Sequence, residues 1–133
     1  MTDYVTDTHA LIWYLQDSDK LGREADIAFE ACDRGEVTIV IPTLCLIELI
    51  YLQEKGRIPR ELKKTLDEHL ALGLTNFVTA DLTPAVVSAL ETIPRDLVPD
   101  LPDRVIAATA KALNLPLLSR DRALQRSGLN VVW

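Results

Sequence analysis

Apolar residues along the 133-residue chain follow two periods that alternate. Short runs rich in β-branched residues at 4–6, 37–41, 76–79, 117–119 and 130–132 have the length and composition of strands. Between them, apolar positions follow the helical period over 8–16, 23–34, 43–55, 60–72, 83–91, 103–113 and 121–127. Stop signals agree: Gly35, Gly56 with Pro59, Gly73, and Asn114 with Pro116 each stand just past a predicted helix. Strands separated by helix-length segments predict an α/β fold, a mostly parallel central sheet flanked by helices on both faces. Pro94, Pro99 and Pro102 exclude a continuous helix through 94–102, which is expected as a loop over one edge of the sheet.

With 48% hydrophobic and 26% charged residues, the chain is sized for one packed core, hence a single domain over 1–133. Twenty acidic residues against fourteen Lys and Arg give a net charge of -6, which argues against passive wrapping of nucleic acid by a basic surface but leaves local basic patches open. No apolar run nears the roughly 20 residues of a membrane span. The start also lacks the basic-then-apolar order of a secretion signal, so a cytoplasmic protein with no membrane partner is expected. Cys32 and Cys45 lack a CxxC spacing and are expected as reduced core thiols.

The acids carry the candidate chemistry. Asp7 follows the first predicted strand, Asp121 the fourth, and Asp103 opens the helix after the proline-rich stretch. Each has a plain alternative role, capping a helix N-terminus for about 1 kcal/mol, and Asp100 with Asp103 has the three-residue offset of a capping box. Glu48 does not fit that alternative. It lies mid-helix within Leu44 to Leu52, where a buried carboxylate needs a salt bridge, a proton or a ligand. Loops leaving the carboxyl ends of parallel strands open onto one edge, which brings Asp7 and Asp121 together and Asp103 with them if its loop crosses there. Carboxylates about 4 Å apart repel by roughly 1 to 4 kcal/mol per pair, more than capping returns, so such a cluster calls for a cation. Oxygen donors alone favour a hard ion, Mg²⁺ or Mn²⁺, over zinc.

In order along the chain, Asp7-Thr8-His9-Ala10-Leu11, Glu48 in an apolar helix after Pro42-Thr43, Asp103-Arg104-Val105-Ile106-Ala107-Ala108-Thr109-Ala110, and Ser119-Arg120-Asp121 resemble the successive motifs of the PIN-domain ribonucleases. Compact size and the third motif are most similar to the VapC-like toxins of toxin-antitoxin pairs. His9 departs from the Asn or Ser often found there. The resemblance implies a metal-dependent endoribonuclease acting on RNA, restrained by an antitoxin protein and expected as a homodimer. It implies Asp7 and Asp103 as direct metal ligands, with Glu48 and Asp121 completing the site. Thr8, Thr43, Ser119 and Asp100 are expected to support those carboxylates from outside, and Arg104, Arg120 and Arg122 to meet phosphates. Lys55, Arg57, Arg60, Lys63 and Lys64 form a second basic stretch, and no aromatic ladder for stacking bases is visible.

Two rival functions are open to the same sequence. A receiver-like phosphoacceptor domain would also hold Mg²⁺ among acids, but needs an acid after a central strand, for which Asp81 is the poor candidate, and a lysine after a late one. A noncatalytic α/β binding module would use its acids only as caps, and Glu48 counts against it.

Overall fold

The computed structural model describes residues 2–133. Five strands, β1 (Tyr4–Thr6), β2 (Ile39–Pro42), β3 (Phe77–Ala80), β4 (Leu117–Leu118) and β5 (Val131–Val132), form one sheet in the order β3-β2-β1-β4-β5. Every pairing in it is parallel. Seven helices connect and cover them among the described residues: α1 (Thr8–Leu15), α2 (Arg23–Asp33), α3 (Thr43–Glu54), α4 (Arg60–Leu72), α5 (Pro84–Glu91), α6 (Leu101–Leu113) and α7 (Arg122–Gln125). All four residues of β2 are buried, as a strand covered on both faces requires. One core joins Val5, Ile39, Ile41 and Leu117 of the sheet to Leu11, Phe29, Leu49, Ile106 and Leu124 of the helices. Cys32 and Cys45 are free thiols buried in it.

Small differences from the predicted boundaries have local causes. β2 starts at Ile39 because side chains occupy the backbone just before it: the Thr38 amide donates to Asp3 (2.8 Å) and the Asn76 amide group to the Val37 carbonyl (2.6 Å). α6 begins two residues earlier than predicted, with Pro102 inside its first turn, where a missing N–H costs nothing. Its far end stops where Asn114 takes a left-handed conformation (φ 54°). The proline-rich stretch ahead of α6 is a turn tied by the Leu97 and Val98 amides to the Pro94 carbonyl.

Chain order reverses beside β1. From β1 the chain steps through β2 to β3 on one side, and β4 and β5 lie on the other. Loops leaving β1 and β4 therefore diverge at the carboxyl edge and leave a crevice, the usual position of a ligand site in such a sheet. β3 is at the sheet's rim, so exposed Asp81 follows an edge strand and not the central one that the receiver-like alternative needs. No helix among the described residues is long and apolar enough to cross a membrane.

Candidate active site

The register of β1 with β4, Val5 opposite Leu117 and Thr6 opposite Leu118, sets Asp7 beside Ser119. The Asp7 amide extends the ladder by donating to the Leu118 carbonyl (3.1 Å). Asp7 caps α1, one carboxylate oxygen accepting from the Ala10 amide (2.8 Å), and Asp121 caps α7 by accepting from Leu124 (3.0 Å). Buried Ser119 accepts from the Asp121 amide (3.0 Å). Capping and site roles thus coexist, since each cap uses Oδ1 and leaves the other oxygen uncommitted to it. Both aspartates line one cavity of about 290 Å³ with His9, Trp13, Asp103 and Arg120.

Asp103 reaches that cavity because Asp100 relieves it of capping. Asp100 is the N-cap of α6 and accepts from the Asp103 amide (3.0 Å), half of the expected capping box, while Asp103 occupies the first turn. Asp100 itself is exposed and serves the helix end. Burial, then repulsion from Asp100, Asp121, Asp7 and Glu48, pushes the Asp103 carboxyl up to about 7. Burial also raises Asp7, opposed by the Ser119 hydroxyl, the Ala10 amide and His9. The acids therefore act on one another as a charged group.

Glu48 is half-buried on α3, and Oε1 accepts a hydrogen bond from the Thr8 hydroxyl (2.5 Å). Among the described residues no ion pair reaches it, which removes the structural salt bridge as its explanation. It lines a second cavity of about 300 Å³, largely apolar, with Leu44, Ile47, Tyr51 and Pro102; His9 borders both cavities. Thr43 opens α3 half-buried and makes no side-chain hydrogen bond to these acids among the described residues.

The three arginines separate. Arg120 borders the acidic cavity. Arg104, expected at a phosphate, instead turns its guanidinium to the carbonyls of Ile93 (3.0 Å) and Leu90 (3.2 Å), tying α6 to the end of α5. Arg122 is exposed at the first position of α7 and does not line the cavity. The second basic stretch is mixed in charge: Lys63 pairs with Asp67 (2.6 Å), and Arg60, Lys63 and Lys64 share their hollow with Asp67 and Glu68.

Rings that looked scattered in sequence also converge. His9 and Trp13 lie 5.6 Å apart between centroids, Trp133 meets Trp13 edge-on at 5.7 Å, and the Arg120 guanidinium lies 5.2 Å from the Trp13 centroid. Tyr14, one position on, stacks on Phe29 at 4.5 Å as part of the core. The four-residue spacing of His9 and Trp13 on one helix was the available signal; nothing local announced Trp133.

Carboxylate donors suit a hard divalent cation, and burial, with neighbouring acids adding to it, raises the carboxyls of Asp7 and Asp103. Among the described residues no three His, Cys, Asp or Glu side chains close on a single point, so the acids wall a cavity and are not drawn into a finished ligand shell.

Comparison with known proteins agrees with this fold. The PIN domain family model matches residues 4–128. Over 130 residues the chain is 27% identical to ribonuclease VapC22 of Mycobacterium tuberculosis, spanning 94% of this chain and 92% of that protein. Among solved structures, DNA-bound VapBC from Salmonella typhimurium is similar in fold (TM-score 0.73, 19% identity, 99% of this chain and 98% of that one). So is a toxin-antitoxin complex from Klebsiella pneumoniae (TM-score 0.68, 20% identity, 98% and 97%). With the family model matched across nearly its whole length, the chain belongs to the PIN domain family.

Proposed function

We propose that this PIN domain is a divalent-metal-dependent endoribonuclease and the toxin of a toxin-antitoxin pair. The observation that carries the reading is the meeting of Asp7, Asp103 and Asp121 on one cavity at the crevice between β1 and β4, with Glu48 near enough to raise the Asp103 carboxyl. Dependence on a divalent cation is general among PIN-domain nucleases. Asp7 and Asp103 would hold Mg²⁺ or Mn²⁺ directly, with Glu48 and Asp121 completing its surroundings directly or through water. Such an ion supplies Lewis acidity toward water and phosphate oxygen. Asp103 must give up its proton for the ion to be held. Ser119 fixes the loop that carries Asp121, Thr8 holds Glu48, and Arg120 offers the cavity's cationic group to an RNA phosphate.

The antitoxin reading is supported by the toxin-antitoxin complex among the structural neighbours and by an apolar strip beside the acids. Ile47 and Tyr51 on α3 are 50% and 60% exposed, a surface on which the apolar face of a partner helix would rest while a basic side chain reaches the carboxylates. The same reading places the protein in the cytoplasm, with cellular RNA. Incubation of the purified protein with total RNA and Mg²⁺, with and without the product of the neighbouring reading frame, tests both parts. Metal-dependent cleavage silenced by that product is expected. Cleavage that the product leaves untouched would remove the toxin and keep the nuclease; no cleavage with any divalent ion would overturn both.

A further inference from the structure

Two cations converge on one indole beside the acids. The Arg120 guanidinium lies 5.2 Å, and the Lys20 ammonium 5.9 Å, from the Trp13 centroid. Both side chains are exposed, and among the described residues neither pairs with a carboxylate, although three aspartates share the cavity with Arg120. Trp13 is half-buried and His9 exposed, so the aromatic wall they form is open to solvent. At about 290 Å³ the cavity is at the small end of small-ligand sites, which run from roughly 300 to 1,000 Å³. Its lining combines aromatic and cationic side chains, His9, Trp13 and Arg120, with the carboxylates of Asp7, Asp103 and Asp121. A planar, uncharged aromatic group attached to an anion matches that combination, whereas a bare anion would be repelled by the acids.

We propose that the hollow bounded by His9, Trp13 and Arg120 is a nucleobase subsite: a base next to the scissile phosphate stacks on the His9–Trp13 wall, and Arg120, held over Trp13, meets that nucleotide's phosphate. The inference rests on the ribonuclease reading of the same cavity. Recognition by stacking tolerates any base and favours those with the larger π-face, so the preference at this one nucleotide is purine over pyrimidine.

The sequence has two tryptophans, so Trp133→Phe leaves Trp13 as the only indole. That variant, in EDTA, is titrated with the RNA trimer of adenylate and with an abasic ribose-phosphate trimer of equal charge. Saturable quenching by the first alone is expected; equal response to both would overturn the subsite. Cleavage of one RNA in Mg²⁺ by Trp13→Ala, Trp13→Phe and His9→Ala gives the second readout. Loss of one base stack predicts kcat/KM lower by roughly 5- to 150-fold in Trp13→Ala, largely recovered in Trp13→Phe. His9 is exposed, so His9→Ala probes the wall without disturbing the core, and a smaller loss is expected there. Unchanged cleavage in both alanine variants would overturn the subsite and leave the nuclease intact. Base-dependent quenching by a protein that cleaves no RNA would overturn the nuclease and leave a base-binding site.

Discussion

Thr8 and Glu48, forty residues apart, are joined by a 2.5 Å hydrogen bond from hydroxyl to carboxylate. The bond links the start of α1, immediately after Asp7, to the middle of α3, and so fixes where the fourth acid stands relative to the first. Thr8 is buried, so the hydroxyl has no ready substitute in water. Thr8→Val keeps the shape and removes the donor. It should lower kcat/KM for RNA cleavage by about ten- to a hundredfold while KM for RNA changes little, as loss of a partner that orients a metal-site carboxylate does. Steady-state kinetics at saturating Mg²⁺ check this; unchanged kinetics would detach Glu48 from the site.

Glu48→Gln separates a charge needed for chemistry from one needed for folding. No ion pair among the described residues depends on Glu48, and a glutamine carbonyl still accepts from Thr8. The melting temperature in EDTA should be unchanged or slightly higher, with cleavage lowered roughly 100-fold or more. A large loss of metal-free stability would restore the structural account, since breaking a buried pair costs about 3–5 kcal/mol.

Asp103 gives a pH dependence with a definite sign. Its carboxyl titrates at about 7 in the folded protein against 3.8 for an unperturbed aspartate, so between those values the folded state binds more protons than the unfolded chain. Stability of the metal-free protein therefore falls as pH rises through that window and stays low above 7. Melting curves in EDTA should lie a few degrees higher at pH 5 than at pH 8, and Asp103→Asn should flatten the difference. Apparent metal affinity should drop by about tenfold per pH unit below 7, because one proton must leave as the ion enters.

Arg104 should matter to the fold and not to RNA. Its guanidinium holds the Leu90 and Ile93 carbonyls from a half-buried position. Arg104→Ala should cost about 1–3 kcal/mol in chemical denaturation. RNA affinity should keep its salt dependence in this variant, whereas Arg120→Ala should reduce the slope.

The sheet and the acids were legible in the sequence because they obey local rules. β-branched runs gave strands, parallel order gave the edge on which Asp7 and Asp121 meet, and Glu48 stood out because no helix end lies near it. Side-chain direction was not legible. Arg104 adjoins Asp103 in sequence, but about 100° of rotation per helical residue sends it to α5 while Asp103 faces the cavity. Proline interrupts helices, yet the first turn accepts Pro102, so α6 opens two residues early behind Asp100, the cap that its three-residue offset from Asp103 already suggested. Trp133 reached Trp13 through tertiary packing alone, a contact that no periodicity encodes.

That these acids form a cation site is most directly tested by calorimetric titration of the metal-free protein with Mn²⁺ at pH 8, beside Asp7→Asn and Asp103→Asn. Saturable binding by the unaltered protein, weakened about tenfold or more in each variant while both remain folded, is the predicted result. Equal Mn²⁺ binding by all three proteins would contradict it.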